Sequence, residues 1–378
     1  MLILRRQLAY LLYQCRRYCS ESFQTSSWQI SRYGGPEELK LNISELPYIS
    51  RPNDVLVQIH AASVNPIDVQ MLNGYGSQAI AILRKINNCS FDVPEFPITL
   101  GRDFSGVVID VGQTVKKLKR GDQVWGATGP EKIGSHAKHI LIDSSNISLK
   151  PTSIDHVQAA SLPYAALTSW SALCWFGGLS KSSAWNSRVL VLGGSGGVGS
   201  FSIQLLKAWN AEVTVTCSTD AVEMLENLGA DCVLDYRSQD IKTHLSQMDG
   251  FDFILDCVGG ESKNFALNLL KKWKNCKYVT LVSPLLNYTD KYGVIAGSLF
   301  SLGEAALDTI QGGQNGQAVR WAYFCPSGET LSTIKTMVDD GKISPVVEQV
   351  FPYEDTPEAY RKVLAGHARG KTVIRVED

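Results

Sequence analysis

Two kinds of chemistry fit the glycine-rich stretch VLVLGGSGGVGS at residues 189–200. Gly194, Gly196 and Gly199 have the spacing G-x-G-x-x-G, in which N–H groups at a helix N-terminus bind the pyrophosphate of a dinucleotide. The same stretch contains G-x-S-x-G around Ser195, the turn that presents a nucleophilic serine in hydrolases. The sequence around this turn has to decide between the two.

A hydrolase needs an acid and a histidine after the serine, and Asp256 and His367 follow Ser195 in that order. Two features favour the dinucleotide interpretation instead. The glycine pattern continues to Gly199, which a dinucleotide site uses to pack its helix on the sheet. The turn also belongs to the first strand–helix unit, whereas a hydrolase elbow normally follows several such units. The predicted phosphate-binding residues are Ser195, Gly196, Gly197 and Val198.

Strand and helix patterns alternate around this turn. From about residue 151, RVLVLG, EVTVTCS, CVLDY and FDFILDCVG are each followed by a helical pattern. This alternation predicts an α/β domain with right-handed crossovers, a Rossmann-type doubly wound parallel sheet. Ligands of such sheets lie beyond the carboxyl ends of the strands. The predicted cofactor contacts at these strand ends are Ser218, Tyr236, Cys257, Val282 and Phe324.

Residues before about 150 show mostly strand patterns. DVLVQIHAAS and FSGVVIDVG alternate or run apolar, and NPID, KRGDQ and GATGP interrupt them, which predicts an irregular antiparallel β-barrel. The last part of the chain returns to short strands around one helix and is expected to rejoin the barrel. Its basic loop is expected to close over the cofactor through His367, Ala368 and Arg369.

The first 27 residues have the composition of a mitochondrial transit peptide. They contain four arginines and no acid before Glu21, and the apolar run at residues 8–13 is far below the ~20 residues that span a bilayer. The alternative is an ordinary basic tail. The predicted division is a transit peptide at 1–27, a barrel at 28–150, a dinucleotide-binding domain at 151–324 and the returning part of the catalytic domain at 325–378.

Composition limits the classes of partner. The chain has 378 residues, enough for about two domains, and its 36 basic and 37 acidic residues give a net charge of -1. No overall field therefore favours nucleic acid or an anionic membrane. Nine cysteines without a C-x-x-C pair argue against a zinc ribbon and fit a reducing compartment. The segment 76–95 is expected to be a long connector that forms either a lid or an interface. The apolar segment 290–313 is expected to pack in the core, line a pocket or form an interface.

The residues about twenty positions beyond the glycine turn indicate which of the two cofactors, NADPH or NADH, the site prefers. An NAD site normally has an acid there that binds the ribose 2′-OH and repels a 2′-phosphate. Here Ser218 takes that place, and Tyr236 and Arg237 are further candidates to contact a phosphate. Asp220 would oppose a phosphate unless it caps the following helix. These residues predict NADPH in preference to NADH.

Four longer motifs extend the analysis to nearly the whole chain. ASVNPIDVQMLNGYG, FPITLGRDFSGVVIDVG, AASLPYAALTSWSAL and GGSGGVGSFSIQLLKAW resemble the quinone oxidoreductase branch of the medium-chain dehydrogenase/reductase superfamily. The resemblance runs from Trp28 onward. It implies a GroES-like catalytic barrel made from both chain ends, hydride transfer from NADPH without a metal, and a possible homodimer through YVTLVSP or VRWAYF. It also implies, by resemblance only, a reticulon-like membrane-protein partner.

The residues at the expected zinc-ligand positions and the spacing of the histidines indicate whether the chain can bind a metal. By the resemblance, the zinc-ligand positions of zinc-dependent relatives align with Asn65, Arg102 and Tyr164, none of which is an ordinary zinc ligand. His136 and His139 are the only close histidine pair, and in a strand residues three apart point to opposite faces. We therefore predict no metal site.

Candidate catalytic residues lie in NPID and NGYG. Asn65 is expected to donate an amide N–H, and Tyr75 its phenolic proton, to an acceptor oxygen. Asp68 either orients these groups or caps the helix that NPID begins. The leading function is reduction of a quinone with NADPH in mitochondria, with a possible link to ubiquinone metabolism. The alternatives are a 2-enoyl thioester reductase with a tyrosine proton donor and a non-catalytic NADPH-binding partner protein.

Overall fold

Strands from both ends of the chain build one sheet, and strands from the middle build another. The computed structural model describes residues 24–238, 240–260 and 262–377. Most of the predicted transit peptide, residues 1–23, lies outside the described residues. Residues 24–27, which the sequence analysis placed in the leader, belong to the first strand, where Thr25 and Ser27 are buried.

The strands and helices follow in chain order. The strands are β1 Gln24–Ile30, β2 Lys40–Glu45, β3 Asp54–Val64, β4 Ile98–Thr99, β5 Asp103–Val111, β6 Gln123–Ala127, β7 His139–Asp143, β8 Ile147–Leu149, β9 Arg188–Leu192, β10 Glu212–Cys217, β11 Cys232–Asp235, β12 Phe253–Asp256, β13 Cys276–Thr280, β14 Gln317–Trp321, β15 Val347–Pro352 and β16 Lys371–Arg375. The α-helices are α1 Pro66–Leu72, α2 Ser77–Asn87, α3 His156–Ala160, α4 Pro163–Trp170, α5 Lys181–Ala184, α6 Gly197–Ala208, α7 Val222–Asn227, α8 Ile241–Gln247, α9 Ser262–Leu269, α10 Leu285–Tyr292, α11 Val294–Gly313, α12 Gly328–Asp339 and α13 Thr356–Leu364.

A mostly antiparallel sheet forms the body that contains the chain ends. Its order is β15-β16-β3-β5-β6-β8, with β7 also paired to β3, and β2-β1-β4 form a second small sheet. β3, with the sequence DVLVQIHAASV, is buried along nearly its whole length. β16 pairs antiparallel with β3, Thr372 opposite Val64, so the end of the chain completes this sheet.

A six-stranded parallel sheet forms the other body, in the order β11-β10-β9-β12-β13-β14. Its central strands are buried on both faces, as their uninterrupted apolar sequences predict. The order reverses beside β9, the strand that leads into the glycine turn, and ligands of doubly wound sheets bind at such a point. The predicted fold class, a Rossmann-type sheet with a GroES-like domain, is confirmed.

Two segments differ from expectation. The predicted connector at 76–95 contains the amphipathic helix α2. Segment 290–313 contains α11, whose large apolar residues are mostly exposed, Ile295 by 82%, so core packing is not its role. No helix among the described residues combines the length and apolar character needed to cross a bilayer.

Of the two predicted dimer edges, YVTLVSP begins with the last three residues of β13, which lies inside the parallel sheet between β12 and β14. VRWAYF contains most of β14, which is an edge strand of that sheet. Within a single chain, only the second segment is therefore placed to pair with another copy.

Candidate functional site

The glycine turn joins β9 to α6 and leaves room for a phosphate. A Cβ at Gly199 would lie 2.4 Å from the carbonyl oxygen of Gly193, so this glycine lets the helix pack directly on the turn. A Cβ at Gly196, the N-cap of α6, would meet no atom within 4 Å. Gly196 therefore faces open space beside the first N–H groups of the helix, which have no intrahelical acceptor. A helix N-terminus open in this way fits a pyrophosphate.

The residues of the hydrolase alternative do not form a triad. The Asp256 carboxylate accepts hydrogen bonds from the Tyr278 hydroxyl and from the N–H groups of Val258 and Gly259. His367 Nδ1 lies 3.4 Å from an Arg237 nitrogen. No hydrogen bond joins either residue to Ser195 within the described residues, so Ser195 has no general base beside it.

The residues predicted at the strand ends follow the parallel strands along one edge of the sheet. The Tyr236 N–H donates to the Cys217 carbonyl at 3.0 Å, and the Cys257 N–H donates to the Leu192 carbonyl at 3.1 Å. Burial raises the pKa of the Cys257 thiol, which therefore stays protonated at neutral pH. Ser218 is buried, whereas Tyr236 and Val282 are about half exposed.

The C-terminal loop lies between the glycine turn and the ends of β10 and β11. The Gly370 N–H donates to the Ser195 carbonyl at 3.1 Å, and His367, with φ +54°, contacts Arg237. Arg369 Nε lies 3.8 Å from Asp220 and 3.6 Å from Glu348. The structure thus brings the predicted loop of His367, Ala368 and Arg369 close to the region of Ser218.

Asp220, which lies near Ser218 and Arg369, carries a negative charge that would repel a phosphate. The Ser218 hydroxyl donates to Asp220 Oδ1 at 2.5 Å, and this bond is the main reason why the pKa of Asp220 is lowered. Asp220 does not cap the following helix through its own side chain. A carboxylate therefore lies beside Ser218, the residue that the sequence analysis predicted to contact a 2′-phosphate.

Asn65 and Asp68 are both buried at the start of α1. Asp68 accepts hydrogen bonds from the N–H groups of Asn65 at 2.8 Å and Gly101 at 3.0 Å, and Arg102 Nε lies 3.4 Å away. These contacts agree with the prediction that Asp68 caps the helix that NPID begins, and they hold the turn that carries Asn65. No solvent-facing oxygen of Asp68 is available to a substrate, because its side chain is 0% exposed.

Asn65, Asp103 and Lys371 form a buried polar cluster next to the glycine turn. Asn65 Nδ2 donates to Asp103 Oδ1 at 3.1 Å, and Lys371 Nζ donates to Asn65 Oδ1. Lys371 Nζ lies 4.0 Å from Asp103 Oδ2. Burial raises the pKa of Asp103 and lowers that of Lys371, and the attraction between the two charges opposes both shifts.

Aromatic residues lie next to this cluster. The Tyr164 N–H donates to Asp103 Oδ2 at 3.2 Å, and its ring stacks on Phe324 with centroids 4.3 Å apart. The Tyr75 hydroxyl has no hydrogen-bond partner among the described residues. Burial, and after it the nearby Asp290 carboxylate, raises the pKa of Tyr75. Tyr75 therefore keeps its proton at neutral pH, and its O–H can donate a hydrogen bond.

Sequence reasoning missed Asp103 and Lys371. Asp103 stands in GRDF at the start of a buried strand, and Lys371 stands in GKTVI at the start of another. An ionisable residue inside an apolar strand pattern is a signal for a buried charge, since such residues are rarely buried without a partner. The sequence does not show that the two are partners of each other.

Comparisons with known proteins agree with this arrangement. Residues 51–152 match the family model of the alcohol dehydrogenase GroES-like domain, and residues 228–374 match that of the zinc-binding dehydrogenases. The mitochondrial NAD(P)H oxidoreductase RTN4IP1 of Danio rerio is 45% identical over 383 residues, which cover 100% of this chain and 98% of that relative. The chain belongs to the medium-chain dehydrogenase/reductase superfamily.

Further relatives support the same superfamily branch. The human mitochondrial NAD(P)H oxidoreductase RTN4IP1 is 48% identical over 354 residues, covering 93% of this chain and 89% of the relative. The quinone oxidoreductase from Coxiella burnetii has a TM-score of 0.75 and 28% identity, covering 94% of this chain and 100% of the other. The predicted resemblance is therefore confirmed, and the chain is an oxidoreductase of this superfamily with a nicotinamide cofactor.

The three residues that the resemblance places at zinc-ligand positions, Asn65, Arg102 and Tyr164, make other contacts here. The Arg102 guanidinium is buried and donates to the carbonyl groups of Gly129 and Thr99, while Asn65 and Tyr164 surround Asp103. Across the described residues, no three histidine, cysteine or acidic side chains form a group suited to a metal. His136 instead contacts the Tyr360 hydroxyl at 2.9 Å.

Proposed function

We propose that this chain is a zinc-independent, NADPH-dependent oxidoreductase that reduces a quinone-type acceptor in mitochondria. One observation carries the proposal: the cluster of Asn65, Asp103 and Lys371 lies directly beside the phosphate-binding turn. A Cβ at Gly197 would be 2.7 Å from Lys371 Cδ. A dinucleotide whose pyrophosphate is bound at the turn would therefore lie beside a buried cluster that contains the Lys371 ammonium.

The cofactor supplies a hydride when it is bound, and the chain's own residues hold it. The proposed contacts are Ser195, Gly196, Gly197 and Val198 to the pyrophosphate, Cys257, Val282 and Phe324 along the sheet edge, and Ser218, Tyr236, His367, Ala368 and Arg369 around the adenosine ribose. The cationic groups of Arg237 and Arg369 near Ser218 favour NADPH over NADH. Asp220 opposes this preference.

A quinone suits these residues as the acceptor. Its reduced oxygen is delocalised over the ring, so hydrogen-bond donors can stabilise the developing charge where a Lewis acid would otherwise be needed. Tyr75 offers an unpartnered hydroxyl, and the rings of Tyr164 and Phe324 offer a flat apolar wall. Ubiquinone metabolism and mitochondria fit the relatives that are named mitochondrial. The reticulon-like partner rests only on a relative named reticulon-4-interacting protein 1, and a homodimer would use the β14 edge.

Stopped-flow oxidation of protein-bound NADPH tests this function. The chain from Gln24 onward is loaded with NADPH and mixed with a short-chain quinone or with an enoyl thioester. We expect the quinone to oxidise bound NADPH faster, and a faster reaction with the thioester would identify the chain as an enoyl thioester reductase. If no acceptor exceeds the background rate although NADPH stays bound, the chain is a non-catalytic binding protein and the proposal fails.

A further inference from the structure

The amide of Asn65 has no free donor for a substrate. Its Nδ2 carries two hydrogens, and its partners are Asp103 Oδ1 at 3.1 Å and Ser63 Oγ at 3.5 Å. Its Oδ1 accepts from Lys371. The expected role of Asn65 as direct donor to an acceptor oxygen therefore belongs to a neighbouring group.

Lys371 has unused donors at this position. An ammonium group has three N–H donors and no acceptor, and among the described residues its only hydrogen-bond partner is Asn65. Asp103 Oδ2, at 4.0 Å, is too far for a direct hydrogen bond. The residue is only 7% exposed. A buried ammonium with unused donors is costly unless a ligand or water completes its contacts.

The lysine connects the two halves of the site. Its stem lies against Gly197 at the start of α6, and the preceding residue, Gly370, is hydrogen-bonded to Ser195 of the glycine turn. Its ammonium reaches the catalytic cluster, in which Tyr164 is also held by Asp103. A group bound at the turn and a group bound against Tyr164 would meet at Lys371.

We propose that Lys371 is a catalytic residue: its ammonium hydrogen-bonds the acceptor oxygen that gains negative charge during hydride transfer and then protonates it. Asn65 and Asp103 are positioning residues that hold the ammonium in place. This proposal rests on the proposed function and names the proton donor of that same site. Tyr75 then contacts the acceptor without being required to supply the proton.

The step balances in atoms and charge. The acceptor gains two electrons and one hydrogen as hydride from the dihydronicotinamide, and its carbonyl oxygen becomes an oxyanion. One Lys371 N–H bond breaks and one O–H bond forms, leaving a neutral amine that regains its proton from solvent. Burial lowers the pKa of Lys371, which eases the loss of the proton, while the Asp103 carboxylate keeps the resting group charged.

The test compares Lys371→Met with Lys150→Met. Lys150 is also buried, but its Nζ bonds the carbonyl groups of Pro151 and Ile154 away from the cleft, so its replacement reports general damage. Because Lys371→Met leaves Asp103 as an unpaired buried charge, Lys371→Met/Asp103→Asn is made as well and carries the test if the single variant does not fold.

The first readout needs no turnover. 4-Nitrophenol, whose anion absorbs visible light, is bound to each protein loaded with NADP+, and its ionisation is followed against pH. We expect the wild type and Lys150→Met to favour the bound anion at least tenfold over free solution, and the Lys371 variants to lose this shift. An undiminished shift in both Lys371 variants overturns the proposal, whatever the rate of quinone reduction.

The second readout is kinetic. We expect the Lys371 variants to lower kcat for quinone reduction on the order of 100-fold, with the NADPH Kd within about threefold of the wild type. A kcat within about threefold of the wild type also overturns the role of Lys371. If the wild type itself reduces no quinone, the proposed function fails, and the nitrophenol result then decides separately whether Lys371 binds an oxyanion.

Discussion

The glycines of the cofactor turn differ in what a side chain would meet. A side chain at Gly197 would push against Lys371 and Ala165, with Cβ contacts of 2.7 and 3.3 Å. A side chain at Gly196 would enter open space, and its backbone, at φ -75° and ψ 171°, suits any residue. Gly197→Asp would therefore disturb Lys371 of the buried cluster as well as any phosphate at the turn, whereas a substitution at Gly196 isolates the effect on phosphate binding.

Gly196→Asp is expected to weaken NADPH binding on the order of 100-fold, about 3 kcal/mol, because a carboxylate would oppose the pyrophosphate at close range. The fold should persist, since Asp is a favourable N-cap. Titration by NADPH fluorescence measures the Kd. Gly196→Asn has similar size without the charge and should lose much less; equal losses for both would contradict the electrostatic reason, and no loss would remove the turn from the site.

Asp220 is expected to weaken discrimination in favour of NADPH. Because the Ser218 hydrogen bond lowers the pKa of Asp220, its carboxylate stays charged at neutral pH and repels a 2′-phosphate. Asp220→Asn should raise the ratio of the NADH Kd to the NADPH Kd about tenfold. Parallel titrations with both cofactors measure it, and Asp340→Asn on α12's C-terminal side is the control. An unchanged ratio would show that Asp220 does not face the phosphate.

At the scale of elements, α2 depends on a residue of another element for its N-terminus. Gly76, its N-cap, has no side chain, and the Asp290 carboxylate of α10 accepts from the N–H groups of Gly76 at 2.6 Å and Gln78 at 3.2 Å. Ser77 adds a longer contact at 3.4 Å. This cap joins the barrel side of the molecule to the parallel-sheet side next to Tyr75.

Asp290→Ala is expected to lower the free energy of unfolding by about 1 kcal/mol, the usual loss for a removed cap. Hydrogen exchange should accelerate at the amides of Gly76 and Gln78 more than elsewhere. Asp290→Asn keeps an acceptor oxygen and should retain most of the stability. Equal exchange rates in wild type and Asp290→Ala would show that the contact does not hold α2.

The start of α3 makes stability depend on pH. His156 stacks on His60 of β3 at 4.5 Å and contacts Ser105 Oγ at 2.8 Å, and burial lowers its pKa to about 4. In the unfolded chain His156 takes up a proton near pH 6.5, whereas in the folded chain it does so only near pH 4. Stability is therefore complete above about pH 6.5 and falls as the pH drops towards 4.

We expect about 1–2 kcal/mol of this loss to come from His156. Urea unfolding at pH 7 and pH 5 measures the decline, which should be smaller in His156→Phe, a variant that keeps an aromatic ring against His60. His244→Phe, on the exposed side of α8, should decline like the wild type. The same decline in all three proteins would assign the acid sensitivity to other groups.

At the scale of the whole molecule, the end of the chain lies against the glycine turn. β16 joins the sheet through β3, and the loop before it crosses the glycine turn. Arg369→Ala is therefore expected to raise the NADPH Kd about tenfold and the NADH Kd much less, because only NADPH carries the 2′-phosphate that this cation would attract. The exposed guanidinium is partly screened, which limits the size of the effect. Arg361→Ala, on α13, is the control. An unchanged NADPH Kd for Arg369→Ala would remove this loop from the site.

The sequence alone predicted the features that depend on neighbouring residues. Alternating apolar strands and helices predicted the parallel sheet, because the two periodicities are local. The glycine spacing predicted the turn, because left-handed backbone at Gly193 and the close packing at Gly199 both require residues without a Cβ. The proposed cofactor residues along the sheet edge followed from these two predictions and from the rule that ligands lie beyond strand ends.

Only the tertiary structure decided how the distant residues pair. Asn65 and Lys371 are 306 positions apart. Neither local propensity nor spacing shows that the Lys371 ammonium donates to the amide oxygen of Asn65. Composition also suggested a core position for the apolar segment that forms α11, yet no element of the described chain covers its outer face. Burial and charge pairing are set by which elements pack together. The buried cluster of Asn65, Asp103 and Lys371 and the exposure of α11 therefore appear only in the folded chain.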